Sequence, residues 1–453
     1  MLNDMPVNNV LDEEFKLTTE PVVMDNSIEY EWHEIQPDTL AASNPQANNW
    51  RLQLKNLNAY VNPARAYLEV SCRMTDNANP PVNLGANVNA TIQNHILSLF
   101  RRATLRVGGQ IVETVNEANI AKGLVQPLLH YSQDYASSSG TNEMFYLDTG
   151  SLANIGATSR TKYFYDAGPP ITVTDPPAYN DGFAKRVVRG DNKEFHAWVP
   201  LSALFGFCSV DRILTNNQFI VELEKSDTKH HVLSQVATHK VAVNKISIWM
   251  PNVMPKSVVD LSLKSAFADG VVSNYMFPQL QCYTFQGENG TNSKRIVTSS
   301  EKVLYAFVVA RDSARTETGP ACKTLDNINT LELRLNGRQY PLQPYTNLKG
   351  DTADKARAYS DTLRYMNRNY DFSSGIQLSY ERWAGDATAG REIGATTIYT
   401  FDFTAQPEAN MGAPATLELR ATTDAQVEWS VCVLSEKRAQ IRYDGGSSVV
   451  LVN

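Results

Sequence analysis

The sequence predicts an all-β fold of two consecutive β-sandwiches. Three observations carry this: period-two alternation recurs in short segments along the whole chain, turn signals separate those segments, and helices do not alternate with them. The strands fall at 50–61, 64–74, 98–115, 218–226, 245–253, 302–311, 329–342, 397–405, 415–422 and 425–435, each rich in β-branched or aromatic residues. Gly108–Gly109, the run DNANPP at 76–81, GENG at 287–290 and Asn336–Gly337 supply the turns. Helical spacing is confined to two places. In 115–133, Ile120, Leu124 and Leu128 share a face, and Pro127 must kink or end the helix. In 351–367, Ala353, Ala356, Tyr359, Leu363 and Met366 recur at three to four, with Asp351 as a cap. Residues 137–196, rich in Ser, Thr, Gly and Pro, are too long for a plain connection and read as a functional or contact loop.

The chain repeats this plan. Strands interrupted by a helix-bearing stretch at 115–196 are followed by strands interrupted again at 343–395. The boundary falls within 236–245, which gives an N-terminal arm at 1–40, a first sandwich at 41–240 and a second at 241–453. The arm has weak periodicity and is acidic: Asp4, Asp12, Glu13, Glu14, Glu20, Asp25, Glu29, Glu31, Glu34 and Asp38 face the single Lys16. In the second sandwich, Tyr399, Phe401, Phe403, Leu417, Leu419, Val427, Trp429, Val431 and Val433 should point inward. Thr400, Asp402, Thr404, Glu428, Ser430 and Cys432 should point the other way.

Composition bounds the function. A chain of 453 residues with 42% hydrophobic and 20% charged residues is an ordered globular protein. Forty-one Lys and Arg against 48 Asp and Glu give a charge of −7, which disfavours wrapping nucleic acid by uniform positive charge. The N-terminus lacks the basic and apolar regions of a secretory signal, and no run approaches the ~20 apolar residues of a bilayer span. Cys72, Cys208, Cys282, Cys322 and Cys432 are odd in number and lack metal-type spacing. Cys208 and Cys432 read as small buried hydrophobes of a reducing compartment. In so Asn-rich a chain, chance explains the sequons at Asn89 and Asn289 at least as well as glycosylation does.

Catalytic signatures are missing: the sequence has no GxGxxG after a strand, no GxxxxGK[ST], no HExxH, no GxSxG and no HxH. His230, His231 and His239 cluster, but adjacent strand residues point to opposite faces, so they read as polar residues of a surface ladder or loop. Glu222 and Glu224 share a strand face as Glu332 and Glu418 share theirs with arginines, the pattern of solvated faces. Arg101, Arg102 and Arg106 suit either phosphate or interface salt bridges. No catalytic, cofactor-binding or metal-binding residue is nominated.

Two segments carry a family resemblance. LVQPLLHYSQDYASSSGTNEMFYLDTG (124–150) resembles the region after the first strands of double jelly-roll major capsid proteins, those of polinton-like viruses, adintoviruses and virophages above all. The matching positions are Leu128, Leu129, Tyr131, Ser132, Phe145, Tyr146, Asp148 and Thr149. FHAWVPLSALFGFCSVDRILTNNQFIVELEKS (195–226) is similar to the closing strands of that family's first barrel, at Pro200, Leu201, Leu204, Phe205, Gly206, Ile213, Phe219, Val221 and Leu223. LELRLNGRQYP (331–341) is similar to the place where the second barrel resumes.

The resemblance implies two eight-stranded jelly rolls with short helices in long connecting loops, and a non-enzymatic structural role without cofactor. It further implies homotrimers that form pseudo-hexagonal capsomers of an icosahedral virion shell. Their partners would be neighbouring capsomers and minor capsid or penton proteins; specific nucleic-acid binding is not implied, and contact with an internal membrane stays open. Segments 137–194 and 343–395 would supply trimer contacts or the outward crown. The alternative is a carbohydrate-binding or attachment β-sandwich displaying Tyr131, Tyr135, Tyr163, Tyr165, Tyr179, Tyr345 and Tyr370 on loops.

Overall fold

The computed structural model describes residues 28–452 apart from 39–46, 55–59, 79–80, 85–87, 89, 149–180, 190–193, 216, 235, 256, 300–301, 316–318, 320–323, 325–327, 368–374, 386–395, 408–413 and 445–446. The first half contains β1 (Ile28–Ile35), β2 (Asn49–Gln53), β3 (Tyr60–Val61), β4 (Tyr67–Thr75), β5 (Ala90–Ile92) and β6 (Phe100–Val107), followed by β7 (Gln110–Asn116), β8 (Glu194–Pro200), β9 (Phe219–Lys225), β10 (Val232–Ser234) and β11 (Lys240–Pro255). Two sheets form, ordered β1-β11-β4-β8 and β2-β9-β6-β7, with β3 joined to β11 and β5 paired with β10.

The second half contains β12 (Val272–Gly287), β13 (Gly290–Val297), β14 (Lys302–Asp312), β15 (Ile328–Leu335) and β16 (Arg338–Tyr345), then β17 (Tyr399–Asp402), β18 (Thr416–Thr423), β19 (Val427–Asp444) and β20 (Ser447–Val452). Its sheets run β12-β19-β14-β17 and β13-β18-β15-β16, with β20 added to β19. Counted within each barrel, both halves share one order, 1-8-3-6 facing 2-7-4-5. That order is a jelly roll, repeated. Because neighbours are antiparallel, the connections from strands 1, 3, 5 and 7 all leave one end of each barrel. The helix-bearing insertions both follow strand 5 and therefore crown that same end. One apolar core runs continuously through both barrels.

The second insertion holds helix Ala353–Tyr365. Its cap is Thr352, which accepts from the Lys355 N–H at 3.2 Å, while Asp351 accepts from the Tyr380 hydroxyl at 2.6 Å. The buried side is polar, with Asp361 taking the Tyr345 hydroxyl at 2.9 Å and Thr362 bonding the Ala358 carbonyl at 2.9 Å. Ala353 and Ala356 are exposed, whereas Tyr359, Leu363 and Met366 are partly buried against the core, so the face read from spacing packs only along its C-terminal part.

Three expectations need correction. The arm at 1–40 is not all arm: Ile28–Ile35 pairs antiparallel with β11 from Ile28–Pro255 to Ile35–Ile248. Pro37 bridges to Leu52, and residues 1–27 and 39–40 lie outside the described residues. The boundary at 240/241 cuts ahead of a strand that belongs to the first barrel, since Lys240–Trp249 pairs with β4. Strand pairing changes over only at helix Ser257–Ala268, ahead of β12. Finally, Thr400, Glu428, Ser430 and Cys432 do point away from the barrel interior, yet they are buried. The face they occupy is covered by the other barrel.

Where one face is solvated, alternation reads correctly. Leu417, Leu419 and Ala421 are buried while Glu418 and Arg420 stay partly exposed. In the sheet covered on both sides the inward row reads correctly as well: Tyr399 and Phe401 lie 6.4 and 6.2 Å from Tyr345 of the facing sheet, and Trp429 is wholly buried. Truncating Trp429 to Ala should cost about 3–5 kcal/mol through lost burial and an uncollapsed cavity. Arg420→Ala, on the outer face, should cost under about 1 kcal/mol. Denaturant melts that gave equal losses would contradict this packing.

Candidate functional site

The region with the most organised chemistry is the junction of the two barrels with the crown above it. It begins with the insertion after β7, where short helices Ala118–Ile120 and Gln126–Leu129 flank a π turn at Ala121–Val125. Pro127 enters at the first turn of the second helix, which stops at Leu129. Ile120, Leu124 and Leu128 are buried as their spacing foretold, and Leu129 is buried beside them.

Around them sits a closed polar network. Glu143 accepts from His95 Nε2 at 2.8 Å, from the Tyr131 hydroxyl at 2.5 Å and from the Tyr135 hydroxyl at 2.5 Å. His95 Nδ1 accepts the Leu97 N–H at 3.0 Å, which leaves Nε2 to donate. Burial pushes the Glu143 carboxyl up, but the bonds from His95, Tyr131 and Tyr135 outweigh it and hold the group below its ordinary range. Ser132 caps the next turn by accepting from the Tyr135 N–H at 3.1 Å. Arg186 donates to the Tyr146 carbonyl and to Asp148, both at 2.6 Å. The motif residues 128–148 are thus a structural lock, while Thr149 lies outside the described residues.

The turn Gly206–Ser209 joins this lock to the second barrel. Glu113 accepts from the Gly206 and Phe207 N–H groups at 3.0 and 2.9 Å. Burial raises Glu113 to about 7 and lowers the neighbouring Lys122 to about 8, each moderated by the other's charge. Phe207 stacks on Tyr275 at 4.7 Å and meets Phe277 edge-on at 5.6 Å. A Cβ at Gly206 would run into the Pro278 carbonyl, so only glycine fits this crossing. Alongside, Gln279 and Gln281 donate to the Thr114 carbonyl at 3.1 and 3.4 Å. Higher up, Gln93 donates to the Gly319 carbonyl at 2.9 Å and Gln377 to the Tyr131 carbonyl at 3.1 Å.

At the top of the junction Glu428 bonds Arg311 at 2.6 Å and Arg315 at 2.8 Å, with Lys229 of the first barrel 3.9 Å away. Burial raises Glu428, but the three cations outweigh it and lower its pKa. Arg315 donates to His230 Nδ1 at 3.3 Å, so that ring is held neutral. Burial, followed by the charges of Arg311 and Arg315, lowers His230 to about 2; burial lowers His231 to about 3.

The three histidines do not converge. His230 faces Arg315, His231 bonds Ser226 at 2.9 Å and His239 bonds Ser234 at 2.7 Å. All are buried, which corrects their reading as surface residues. Among the described residues no group of His, Cys, Asp and Glu could hold a metal ion. Arg106 meets Glu222 at 3.2 Å, and Arg101 lies 3.9 Å from Glu117 and 3.8 Å from Glu224. Arg102 lines a surface groove with Arg51 and Thr104. Glu418 and Glu332 pair with Arg420 and Arg334 at 2.7 and 3.1 Å. These are charged outer faces of sheets.

Cys72, Cys208, Cys282 and Cys432 are buried, and Cys282 and Cys432 oppose each other across β12 and β19. Cys322 lies outside the described residues, as do Asn89, Tyr163, Tyr165, Tyr179 and Tyr370. Tyr131 and Tyr345 are buried and Tyr135 is half-buried, so these rings are not a displayed sugar platform. His95, Glu143, Glu113, Arg186 and Arg311 escaped sequence reasoning. Single charged residues without periodic context gave no signal.

Residues 144–381, more than half of the chain, match the family described as double jelly roll-like domain. The chain belongs to that family. The crystal structure of the mavirus major capsid protein superimposes with a TM-score of 0.57 at 11% identity, covering 100% of this chain and 95% of that one. A chain of the Sputnik virophage, solved by cryo-EM, gives a TM-score of 0.58 at 11% identity, covering 100% and 93%. No curated protein matches the sequence.

Two outcomes follow for the junction. Glu428→Gln should cost about 3–5 kcal/mol, because Arg311 and Arg315 would stay buried without their counter-charge. A loss below about 1 kcal/mol in denaturant melts would mean that the cluster is solvated. The histidines add a pH dependence. Their folded pKa values lie below the ordinary 6.5, so their contribution is complete above 6.5 and lost as pH falls from there toward about 3. Stability should fall by roughly 1.4 kcal/mol per pH unit per histidine inside that window. His230→Gln should flatten the slope between pH 6 and 5, and an unchanged slope would remove His230 from the account.

Proposed function

We propose that this chain is a major capsid protein, a structural subunit of an icosahedral virion. The observation that carries it is the repeated 1-8-3-6 and 2-7-4-5 order in two barrels locked side by side, with both elaborated connections at one end. Family membership and a fold shared over the full chain with a virophage major capsid protein support the reading. Three copies then form a block of six barrels, pseudo-hexagonal in outline, and such blocks tile the shell. The role is structural, not enzymatic.

Strand 1 enters each barrel away from the crown, so Ile28 lies at the end opposite it. An acidic arm continuing from there would join neighbouring capsomers or a minor protein beneath the block instead of genome. No helix among the described residues is long and apolar enough to cross a membrane.

Light scattering after size exclusion should give three times the chain mass of 50.4 kDa, and negative-stain images a hexagonal block. A stable monomer at micromolar concentration would overturn the reading. Deleting residues 1–25 leaves β1 intact, so trimers should persist while shell assembly weakens. Trimers lost on that deletion would place the arm inside the block.

A further inference from the structure

The five cysteines are scattered along the sequence, yet the fold brings two of them together. Cys282 on β12 and Cys432 on β19 stand directly opposite each other in an unbroken antiparallel register, from Val272–Arg442 to Gly287–Val427. Side chains at opposed positions of such a pair leave the sheet on the same face. The Cys432 thiol meets Cys282 Sγ at 2.6 Å. Opposed Cα atoms lie about 4.5–5.5 Å apart in an antiparallel pair, inside the roughly 4.4–6.8 Å that a disulfide spans. Cys72 opposes Val243 and Phe195 instead of a thiol, and Cys208 lies in the Gly206–Ser209 turn.

The face that the pair shares is the one covered by the first barrel. Cys432 also opposes Phe307 on β14, and the His130 ring of the crown insertion lies 5.7 Å from that side chain. Helix Ala118–Ile120 of the same insertion lies against β12. Two positions along, Thr284 and Ser430 bond each other at 3.3 Å, and Arg311 donates to Ser430 at 3.3 Å. Both cysteines are buried. Burial, followed by the adjoining Cys432 sulfur, pushes the Cys282 thiol well above its ordinary range, although Arg311 favours its thiolate. A thiol that neither ionises nor meets solvent does not exchange with disulfides. Whether this pair reacts therefore depends on whether the first barrel covers it.

We propose that Cys282 and Cys432 are a redox pair gated by the junction between the barrels. With the junction open, a small disulfide such as oxidised glutathione converts them to a cross-strand staple. With it closed, the crown insertion shields the pair from oxidant and reductant alike. One cysteine loses its proton, and its thiolate attacks a glutathione sulfur, breaking that disulfide and releasing one glutathione thiolate. The second cysteine's thiolate then attacks the protein sulfur of the mixed disulfide and releases the other. Two electrons pass from the cysteines to glutathione, and the two protons end on its thiols. The new bond ties strand 8 to strand 1 of the second barrel across 150 residues. The gate needs only the two barrels of one chain, so it does not depend on the capsid reading.

The test treats the purified full chain with oxidised glutathione and maps linked peptides by non-reducing mass spectrometry. It is run without urea, in urea below the unfolding midpoint, where local opening is populated, and in urea that unfolds the chain. Below the midpoint the Cys282–Cys432 peptide should be the main product, formed at least tenfold faster than without urea. In the unfolded chain that selectivity should vanish, because cysteines nearer in sequence, such as Cys322, then compete. Returned to buffer, the linked chain should melt at least about 4 °C higher than the reduced one. Cys282→Ser should show neither the peptide nor the shift; if it folds poorly, Cys432→Ala takes its place. Absence of the Cys282–Cys432 peptide below the midpoint overturns the pair. Equal rates with and without urea overturn the gate, and an unchanged melting temperature overturns the staple.

Discussion

A β-sheet buried on both faces is the constraint on which the rest of this molecule depends. Over Ala306–Arg311, Tyr399–Phe401 and Val427–Val433, strands β14, β17 and β19 pack inward against their own barrel and outward against the crown of the other. Such a sheet cannot keep the apolar-in, polar-out alternation of a sandwich with one wet side. Val427 to Val433 is accordingly buried without a break. Facing β19, the same pressure selects Phe307 and Val309 beside Cys282, residues that fill space without needing water. The glycine at 206 belongs to this constraint too, since the first barrel's turn must approach the backbone of β12 closely.

Burial on both faces makes the polar groups at the top of that sheet costly, and the way they are satisfied explains their arrangement. Arg311, Arg315 and Glu428 could be replaced in principle by well-packed apolar residues with no loss of stability. What an apolar patch could not do is fix the lateral position of one barrel on the other. Lys229 and His230 from the first barrel meet that ion cluster from the second, and Gln93 and Gln377 cross in opposite directions below the crown. Each bond is short-ranged and directional, so a slip of one residue would leave buried donors unpaired at a cost of roughly 1–3 kcal/mol apiece. The apolar contacts supply adhesion; the polar ones supply register.

How legible this was in the sequence depended on whether a segment obeys a local rule. TLEL at 416–419 and the row Tyr399, Phe401, Phe403 read correctly because one side of each strand is core, and period two follows from backbone geometry. Ile120, Leu124 and Leu128 read correctly for the same reason at helical spacing. Glu428 did not, because a charge in alternation with valines looks the same whether it meets water or an arginine from a distant strand. β1 was hidden in an acidic stretch: its backbone pairs with β11, while Tyr30, Trp32 and Glu34 stay on the outer side. The lock around Glu143 is built from residues 95, 131, 135 and 143, which no local pattern joins. The motifs at 124–150 and 195–226 pointed to the right places, but their chemistry emerged only when the fold brought β7 and β12 together.

Repetition of one topology has a consequence for how the two barrels meet. A cap that follows strand 5 of the first barrel covers the 1-8-3-6 sheet of the second, so the contact has a head on one barrel and a tail on the other. Two barrels with the same strand order thus present different surfaces to each other, and the sequences of the two surfaces are free to diverge. Covalent linkage holds both partners at this junction while it forms. That frees it to carry a buried ion cluster, which would be slow and costly to assemble between separate molecules.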